Sequence, residues 1–306
     1  MNKQTVLVTG ATSFLGRHIV KALLEDGHTV YATVRKDSPR LETLSSFKNL
    51  RIITFSLGDS TENLAKQIAS IDCCIHLAWA GTTEATRNDP SVHQKNVEDS
   101  LDLMKMTASC GCKRFIFAGS QAEYGIHKDL ISESSSCNPV SEYGKYKYAF
   151  GVQAEALAKE LQIDFVHPRI FSVYGPDDHP HTLISSCVRT FLAGEQMQMS
   201  ACENWWNFLY IDDLADLFVK FVTFNGSLSS KGCIYNVAGT DTRVLKEFVM
   251  QVYALCGKKG TPVFGERPIK PEGVVQLQPN MTKTCETLRW KPKYSFEEGI
   301  NAIILK

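Results

Sequence analysis

The stretch TGATSFLG, residues 9–16, constrains this chain more than any other. A β-prone run, Val6-Leu7-Val8, feeds Thr9-Gly10, and apolar residues at helical spacing (Ile19, Leu23, Leu24) follow Gly16. A strand that turns through glycine into a helix is the opening corner of a doubly wound α/β sheet, where ligands bind beyond the strands' carboxyl ends. Free amide N–H groups and the helix dipole at Gly16 to His18 favour a pyrophosphate there. Gly10 permits the tight turn, Gly16 permits close helix–strand packing, and Phe14 and Leu15 lie between them. Ser13 stands where such a turn normally carries a third glycine, and its hydroxyl can donate to a phosphate oxygen. The competing reading is a plain structural corner. Its place directly after the first strand of a βαβ chain favours the phosphate cradle, so Gly10, Ser13, Phe14, Leu15 and Gly16 are candidate cofactor contacts.

The rest of the chain repeats the pattern. Short β-rich runs recur at Thr5 to Val8, Thr29 to Val34, Arg51 to Phe55, Cys73 to Leu77, Arg114 to Ala118 and Asp164 to His167, with helix-length segments between them. That alternation predicts a parallel sheet in an α/β fold. From about Pro176 the pattern loosens into Pro-bearing loops, although one more strand-like run, Cys233 to Val237, is embedded there. The expected organisation is a dinucleotide-binding domain over residues 1–170 plus about 208–240, and a smaller substrate lobe over 171–207 and 241–306, packed across the sheet's carboxyl edge. Lys+Arg and Asp+Glu both number 33, so no basic face points to nucleic acid or an anionic membrane. No run of about 20 apolar residues spans a bilayer. Ten cysteines at irregular spacing, without a CxxC pair, argue against zinc and for a reducing cytoplasm. Asp177, Asp178, His179 and His181 sit in a Pro-bearing stretch that reads as a solvated lid, so no metal is expected.

Two further features carry chemistry. The second strand ends in Arg35-Lys36, a basic pair that suits a 2′-phosphate where an acidic residue would hold a ribose hydroxyl, so NADP is expected and NAD is the alternative. Tyr–x–x–x–Lys occurs twice. At Tyr124 to Lys128, Gly125 argues against a helix. At Tyr143 to Lys147 a long helix, capped by Ser141, places both side chains on one face. An ammonium beside a phenol favours phenolate and brings the tyrosine pKa towards neutrality, which makes Tyr143 a general acid or base for a carbonyl/alcohol pair. Lys147 can also reach the nicotinamide ribose. Ser120, at the end of the strand beginning at Arg114, supplies a hydroxyl for the reacting oxygen.

Taken together, TGATSFLG, HLA at 76–78, GSQAEYG at 119–125, YGKYK, RIFSVYGP at 169–176, FLYIDDLAD at 208–216, YNVAG and LRWKPKYSFEEGI resemble the extended short-chain dehydrogenases/reductases of the NAD-dependent epimerase/dehydratase family. The resemblance covers nearly the whole chain. It implies a Rossmann domain, a C-terminal lobe that usually binds a nucleotide-linked sugar, and a homodimer built on the segments Val97 to Cys110 and Ala149 to Leu161. By the same resemblance Ser120, Tyr143 and Lys147 match the catalytic triad, Asp59 the reader of the adenine amino group, and Leu77 and Ala78 the wall of the cofactor cleft. Asn96 matches an asparagine that buttresses the site and is counted with the substrate contacts, a plain helix–helix hydrogen bond being the alternative. The departures bear on the reaction. Dehydratases resemble one another in an Asp-Glu pair after the catalytic Ser/Thr; here Gln121 and Ala122 stand there, and Glu123, on a strand-like path, points to the other face. Trp206 replaces an arginine and Ser172 an asparagine that often contact the substrate diphosphate, and both remain candidate substrate contacts. The expected function is 4-keto reduction of a nucleotide sugar, with 4-epimerisation on tightly held NAD as the alternative and a dinucleotide-sensing binding protein as the non-enzymatic one.

Overall fold

The computed structural model describes residues 3–36, 38, 47–268 and 275–306. The chain divides into two compact units, one of Met1–Gly125, Cys137–Arg169 and Ala215–Tyr235, the other of Ile126–Ser136, Ile170–Leu214 and Asn236–Lys306. This division assigns 126–136 to the second unit, which differs from the expected boundaries. The reason is local: the Asn236 amide donates to the Ile131 carbonyl at 2.9 Å, and Ile131 bridges to Pro279.

In the first unit the order is β1 (Thr5–Thr9), α1 (Phe14–Glu25), β2 (Thr29–Val34), β3 (Leu50–Thr54), α2 (Thr61–Ala65), β4 (Cys73–His76), α3 (Pro90–Ser109), β5 (Arg114–Phe117), β6 (Gly119–Ser120), α4 (Glu142–Leu161) and β7 (Asp164–Ile170). The sheet runs β7-β5-β4-β1-β2-β3, all parallel, with the later strand β11 (Ile234–Val237) beyond β7. This is the Rossmann-like doubly wound sheet expected from the alternation. Because parallel strands are covered on both faces, they read as unbroken apolar runs. Val6, Leu7 and Val8 are fully buried, as are Cys73, Cys74 and Ile75. Phe115, Phe117 and Phe165 pack with Leu103 and Met104 of α3 and with Phe150 and Ala154 of α4. Each large side chain so buried contributes about 1.5–3 kcal/mol.

One buried charge anchors the start of β5. Arg114 pairs with Asp164 at 2.7 Å and donates to the carbonyls of Phe221, Val222 and Phe224 at 2.8–3.1 Å, the open C-terminal end of the helix Ile211–Thr223. Those carbonyls lack helical partners and carry the negative end of the dipole, so a guanidinium answers both needs.

In the second unit β8 (Ser172–Tyr174), β10 (Trp205–Tyr210) and β12 (Thr242–Val244) form a three-stranded sheet, and β9 (Gln196–Gln198) pairs with β13 (Thr261–Val263). Phe208, Phe248 and Phe296 form its aromatic centre, with ring centroids 4.7–5.8 Å apart. Asn207 ties β10 to the Gly239 to Thr242 segment through its amide.

Candidate active site

The glycine turn is set by backbone crowding. Gly10 has φ +68°, and a Cβ there would lie 2.9 Å from the Ala78 nitrogen; one on Gly16 would lie 2.3 Å from the Gly10 carbonyl oxygen. Both glycines therefore let the turn press against the segment after β4 and let α1 press against the turn. Ser13 caps α1, its hydroxyl oxygen accepting from the Gly16 N–H at 3.0 Å. The side chain expected to face phosphate is thus bound to the helix as an acceptor, with its own proton left to donate. Phe14 and Leu15 open α1, and their N–H groups precede the helical ladder. Those two amides, the Ser13 hydroxyl and the helix dipole fit a dinucleotide pyrophosphate.

Around this turn, the Ala11 N–H bonds the Thr33 carbonyl at 3.3 Å, and Ser38 donates to the Thr12 hydroxyl at 3.0 Å. That places the exposed Arg35 and Lys36, just past β2, beside the cradle. Asp59 is exposed, and its carboxylate accepts from the Ser56 N–H at 2.6 Å, closing its own turn. Half-buried Leu77 and Ala78 are held by the Thr9 hydroxyl, which accepts from both their N–H groups.

Asn96 bonds the backbone of the loop after β4. Its oxygen accepts from the Ala80 N–H at 3.1 Å and its nitrogen donates to the Ala80 carbonyl at 3.0 Å. Buried to 4% exposure, it clamps the loop after β4 from α3, as a buttressing asparagine would, and its bonds run to that loop and not to another helix.

Helix α4 begins at the Ser141 cap, which accepts from the Gly144 N–H at 3.2 Å. A Cβ on Gly144 would lie 2.4 Å from the Ala122 carbonyl oxygen, so this glycine lets α4 touch the turn that follows Ser120. The touch brings three residues together. The Tyr143 phenol shares a hydrogen bond with the Ser120 hydroxyl, and Lys147 lies one turn further along. Lys147 is buried, donates to the Ala118 carbonyl at 2.6 Å, and lies 4.5 Å from the Phe117 ring centroid and 4.7 Å from that of Trp79.

The electrostatics differ from the sequence expectation. Burial pushes the Tyr143 phenol above its usual value, opposed by the Arg87 guanidinium and by the Ser120 hydrogen bond. The Lys147 ammonium packs against the same ring. Its nitrogen lies over the phenol ring, 5.6 Å from the centroid, and is turned to the Ala118 carbonyl. Burial also lowers Lys147 to about 7, with Glu123 pulling the other way. Near neutrality it is therefore poised between its charged and neutral forms.

Glu123 departs from the expected strand-like path. Residues Gln121–Glu123 form a 3-10 turn, and the Glu123 carboxylate folds back to accept from the Ser120 N–H at 2.8 Å. It is fully buried, 2.8 Å from Arg169 Nε and 3.1 Å from His167 Nε2. Burial would raise its pKa, but His167, Arg169 and the Ser120 N–H together hold it below the usual carboxylate value. A carboxylate so tied supports the backbone of Ser120. Tyr124 is buried beneath the Arg169 guanidinium, and no helix spans 124–128, so the other Tyr–x–x–x–Lys pair makes no site.

Sequence reasoning missed Arg87, Trp79, His93 and the Glu123–His167–Arg169 group. Trp79 Nε1 donates to His93 Nδ1 at 3.1 Å, and His93 Nε2 donates to the Arg87 carbonyl at 3.0 Å. Nothing in local periodicity signals such a relay, because its members come from separate loops and helices.

Ser172 and Trp206 belong to the second unit. Ser172 is half-buried at the start of β8. Trp206 on β10 stands opposite Arg243 of β12, and its covered indole N–H has no hydrogen-bond acceptor among the described residues. Asp178 accepts from the His179 N–H and from the Thr182 hydroxyl, so its carboxylate organises the entry to the helix Leu183–Leu192. Among the described residues no group of three His, Cys, Asp or Glu side chains could hold a metal.

A parallel doubly wound sheet with a glycine turn after its first strand defines a nucleotide-binding Rossmann-type protein. The model of the NAD dependent epimerase/dehydratase family matches residues 6–238, and the chain belongs to that family. Among curated relatives it is 26% identical to a UDP-glucose 4-epimerase of Mycolicibacterium smegmatis, covering 96% of this chain and 95% of the relative. It is also 26% identical to a dTDP-6-deoxy-L-talose 4-dehydrogenase (NAD(+)) of Aggregatibacter actinomycetemcomitans, covering 87% and 95%. The solved UDP-glucose 4-epimerase of Thermotoga maritima, in complex with UDP-glucose, superposes with a TM-score of 0.87 at 24% identity, covering 98% and 97% of the two chains.

Proposed function

We propose that this protein is a dinucleotide-dependent oxidoreductase that reduces the 4-keto group of a nucleotide-linked sugar. The observation that carries the reading is the Tyr143 phenol bonded to the Ser120 hydroxyl at the carboxyl end of the sheet, with Lys147 one helical turn away. The bound nicotinamide cofactor supplies the hydride. Ser120 holds the substrate oxygen, and Tyr143 passes its proton to that oxygen as the carbonyl becomes an alcohol. Gly10, Ser13, Phe14, Leu15 and Gly16 shape the pyrophosphate cradle, and Leu77 and Ala78 line its wall. Asp59 stands ready for the adenine, and Lys147 for the nicotinamide ribose. Gln121 and Ala122 offer no carboxylate pair for elimination, and Glu123 is tied down, which disfavours dehydration.

The 4-epimerase reading is kept because the Mycolicibacterium relative carries that activity in its name. A panel of 4-keto nucleotide sugars with each reduced cofactor tests the choice. Stoichiometric cofactor oxidation with a member of the panel supports reduction. Interconversion of UDP-glucose and UDP-galactose without cofactor consumption overturns it.

Cofactor preference rests on Arg35 and Lys36, the basic end of β2, and points to NADP, although the Aggregatibacter relative is named for NAD(+). Arg35→Asp should weaken NADPH by roughly one to two decades, since a charge-assisted bond is worth about 1.5–3 kcal/mol, and should leave NADH little changed. Equal losses for both cofactors in a fluorescence titration would remove the assignment. All ten cysteines are free thiols, in keeping with a reducing cytoplasm. Among the described residues no helix is long and apolar enough to cross a membrane. Exposed Tyr148 and Val152 on α4 suit a homodimer face.

A further inference from the structure

Trp79 has no part in the reaction proposed above, yet its backbone and its ring are both fixed at the site. On one side of it the Thr9 hydroxyl accepts from the Ala78 N–H at 3.3 Å. On the other, Asn96 bonds the N–H and the carbonyl of Ala80 at 3.1 and 3.0 Å. The indole N–H donates to His93 Nδ1 at 3.1 Å, which leaves His93 Nε2 to donate to the Arg87 carbonyl at 3.0 Å. That carbonyl also accepts from the Tyr143 N–H at 3.1 Å, so the tether ends on the first turn of α4. The half-buried indole packs against Phe117, with ring centroids 5.7 Å apart, and against Phe150 at 6.3 Å. A loop side chain held at both neighbours, at its ring nitrogen and along its faces has little freedom to turn away.

We propose that Trp79 is a positioning residue for the reaction, whose indole face, together with the Phe117 ring, holds the Lys147 ammonium in place for the dinucleotide. This rests on the reading of Lys147 as a contact of the nicotinamide ribose. Lys147 Nζ lies 4.7 Å from the indole centroid and 4.5 Å from that of Phe117. Helix α4 fixes only where the side chain starts, because a lysine head group rides on a flexible four-carbon stem. Among the described residues no carboxylate forms an ion pair with it, and Glu123 is taken up by His167 and Arg169. The Ala118 carbonyl accepts one N–H at 2.6 Å. A buried cation with a single hydrogen bond is costly unless something further answers its charge. A ring face within about 6 Å does so through its quadrupole. The two rings bring no competing acceptor atoms, so two of the three ammonium N–H groups are left to donate to ribose hydroxyls.

Dinucleotide affinity, measured in a double-mutant cycle on the full-length protein, tests this. Trp79→Leu should weaken the dinucleotide by roughly two- to thirtyfold, the range of a cation–π contact. Trp79→Phe, which keeps an aromatic face and gives up the indole N–H, should recover most of that loss. In a Lys147→Met background Trp79→Leu should cost nothing further, because the indole acts through the ammonium. The same loss in both backgrounds, or equal losses in the leucine and phenylalanine variants, overturns the proposal. Trp79→Met serves if the leucine variant does not fold. The head group itself gives a second reading, through nuclear relaxation of isotopically labelled lysine ε-carbons. The Lys147 ε-methylene should be rigid in the parent and in Trp79→Phe and mobile in Trp79→Leu; unchanged relaxation in the leucine variant also overturns the proposal. Failure of the functional reading looks different: Lys147→Met then leaves dinucleotide affinity unchanged, while the ε-methylene still gains mobility in Trp79→Leu.

Discussion

Tyr143→Phe is expected to lower turnover by about two to four decades and to leave dinucleotide binding nearly intact. The substitution keeps the ring, and with it the stacking on the Arg87 guanidinium and the edge contact with His93. It deletes the hydroxyl that bonds Ser120 and the proton that has to be passed. Because the proposed pyrophosphate cradle draws on β1 and α1, cofactor affinity should not follow turnover down. Tyr124→Phe provides the control. That ring lies buried under Arg169, and no helix joins it to Lys128, so its loss of a hydroxyl should cost far less turnover. Near-normal rates in the Tyr143 variant, or equal collapse in both, would reopen the reading of the chain as a binding protein.

Glu123→Ala is expected to destabilise the fold by about 3–5 kcal/mol, the usual consequence of leaving a buried partner charge unanswered. Arg169 is 2% exposed and Glu123 fully buried, so water cannot replace the lost carboxylate. The Ser120 N–H loses its acceptor in the same step, so the Ser120 hydroxyl is loosened as the core is weakened. The pH dependence has a definite sign. Glu123 is held below the ordinary carboxylate value in the folded state, so its stabilisation is complete above that value and is lost as the pH falls through the lowered one. Urea unfolding measures both effects. A change below about 1 kcal/mol in Glu123→Ala would mean that Arg169 and His167 find other partners.

How much of this was legible in the sequence follows the range of the forces involved. The opening strand, glycine turn and helix are local, so TGATSFLG announced β1 and α1 with their ends nearly in place. The strands of the parallel sheet were legible because burial on both faces leaves unbroken apolar runs such as Cys73 to His76. The Ser141 cap and the spacing of Tyr143 and Lys147 are also properties of a single helix. Glu123 leaves the strand-like path because β6 ends at Ser120, where a reciprocal Ser120–Glu123 cap turns the chain into a 3-10 turn. The direction of Lys147 depends on the Ala118 carbonyl and two aromatic faces, all distant in sequence, and spacing cannot report them. Arg87 was invisible for the same reason. In the second unit, three-residue strands such as Thr242–Val244 are too short to show alternation.

Deuterium transfer tests the central claim most directly. The enzyme is supplied with reduced cofactor carrying deuterium at its hydride position and with a 4-keto nucleotide sugar, and the sugar is analysed by mass spectrometry. One deuterium per sugar, gained as one cofactor is oxidised and absent with Tyr143→Phe, is the result this account predicts. A 4-keto sugar recovered without deuterium while the cofactor stays reduced, with UDP-glucose and UDP-galactose interconverting in a parallel incubation, would contradict it.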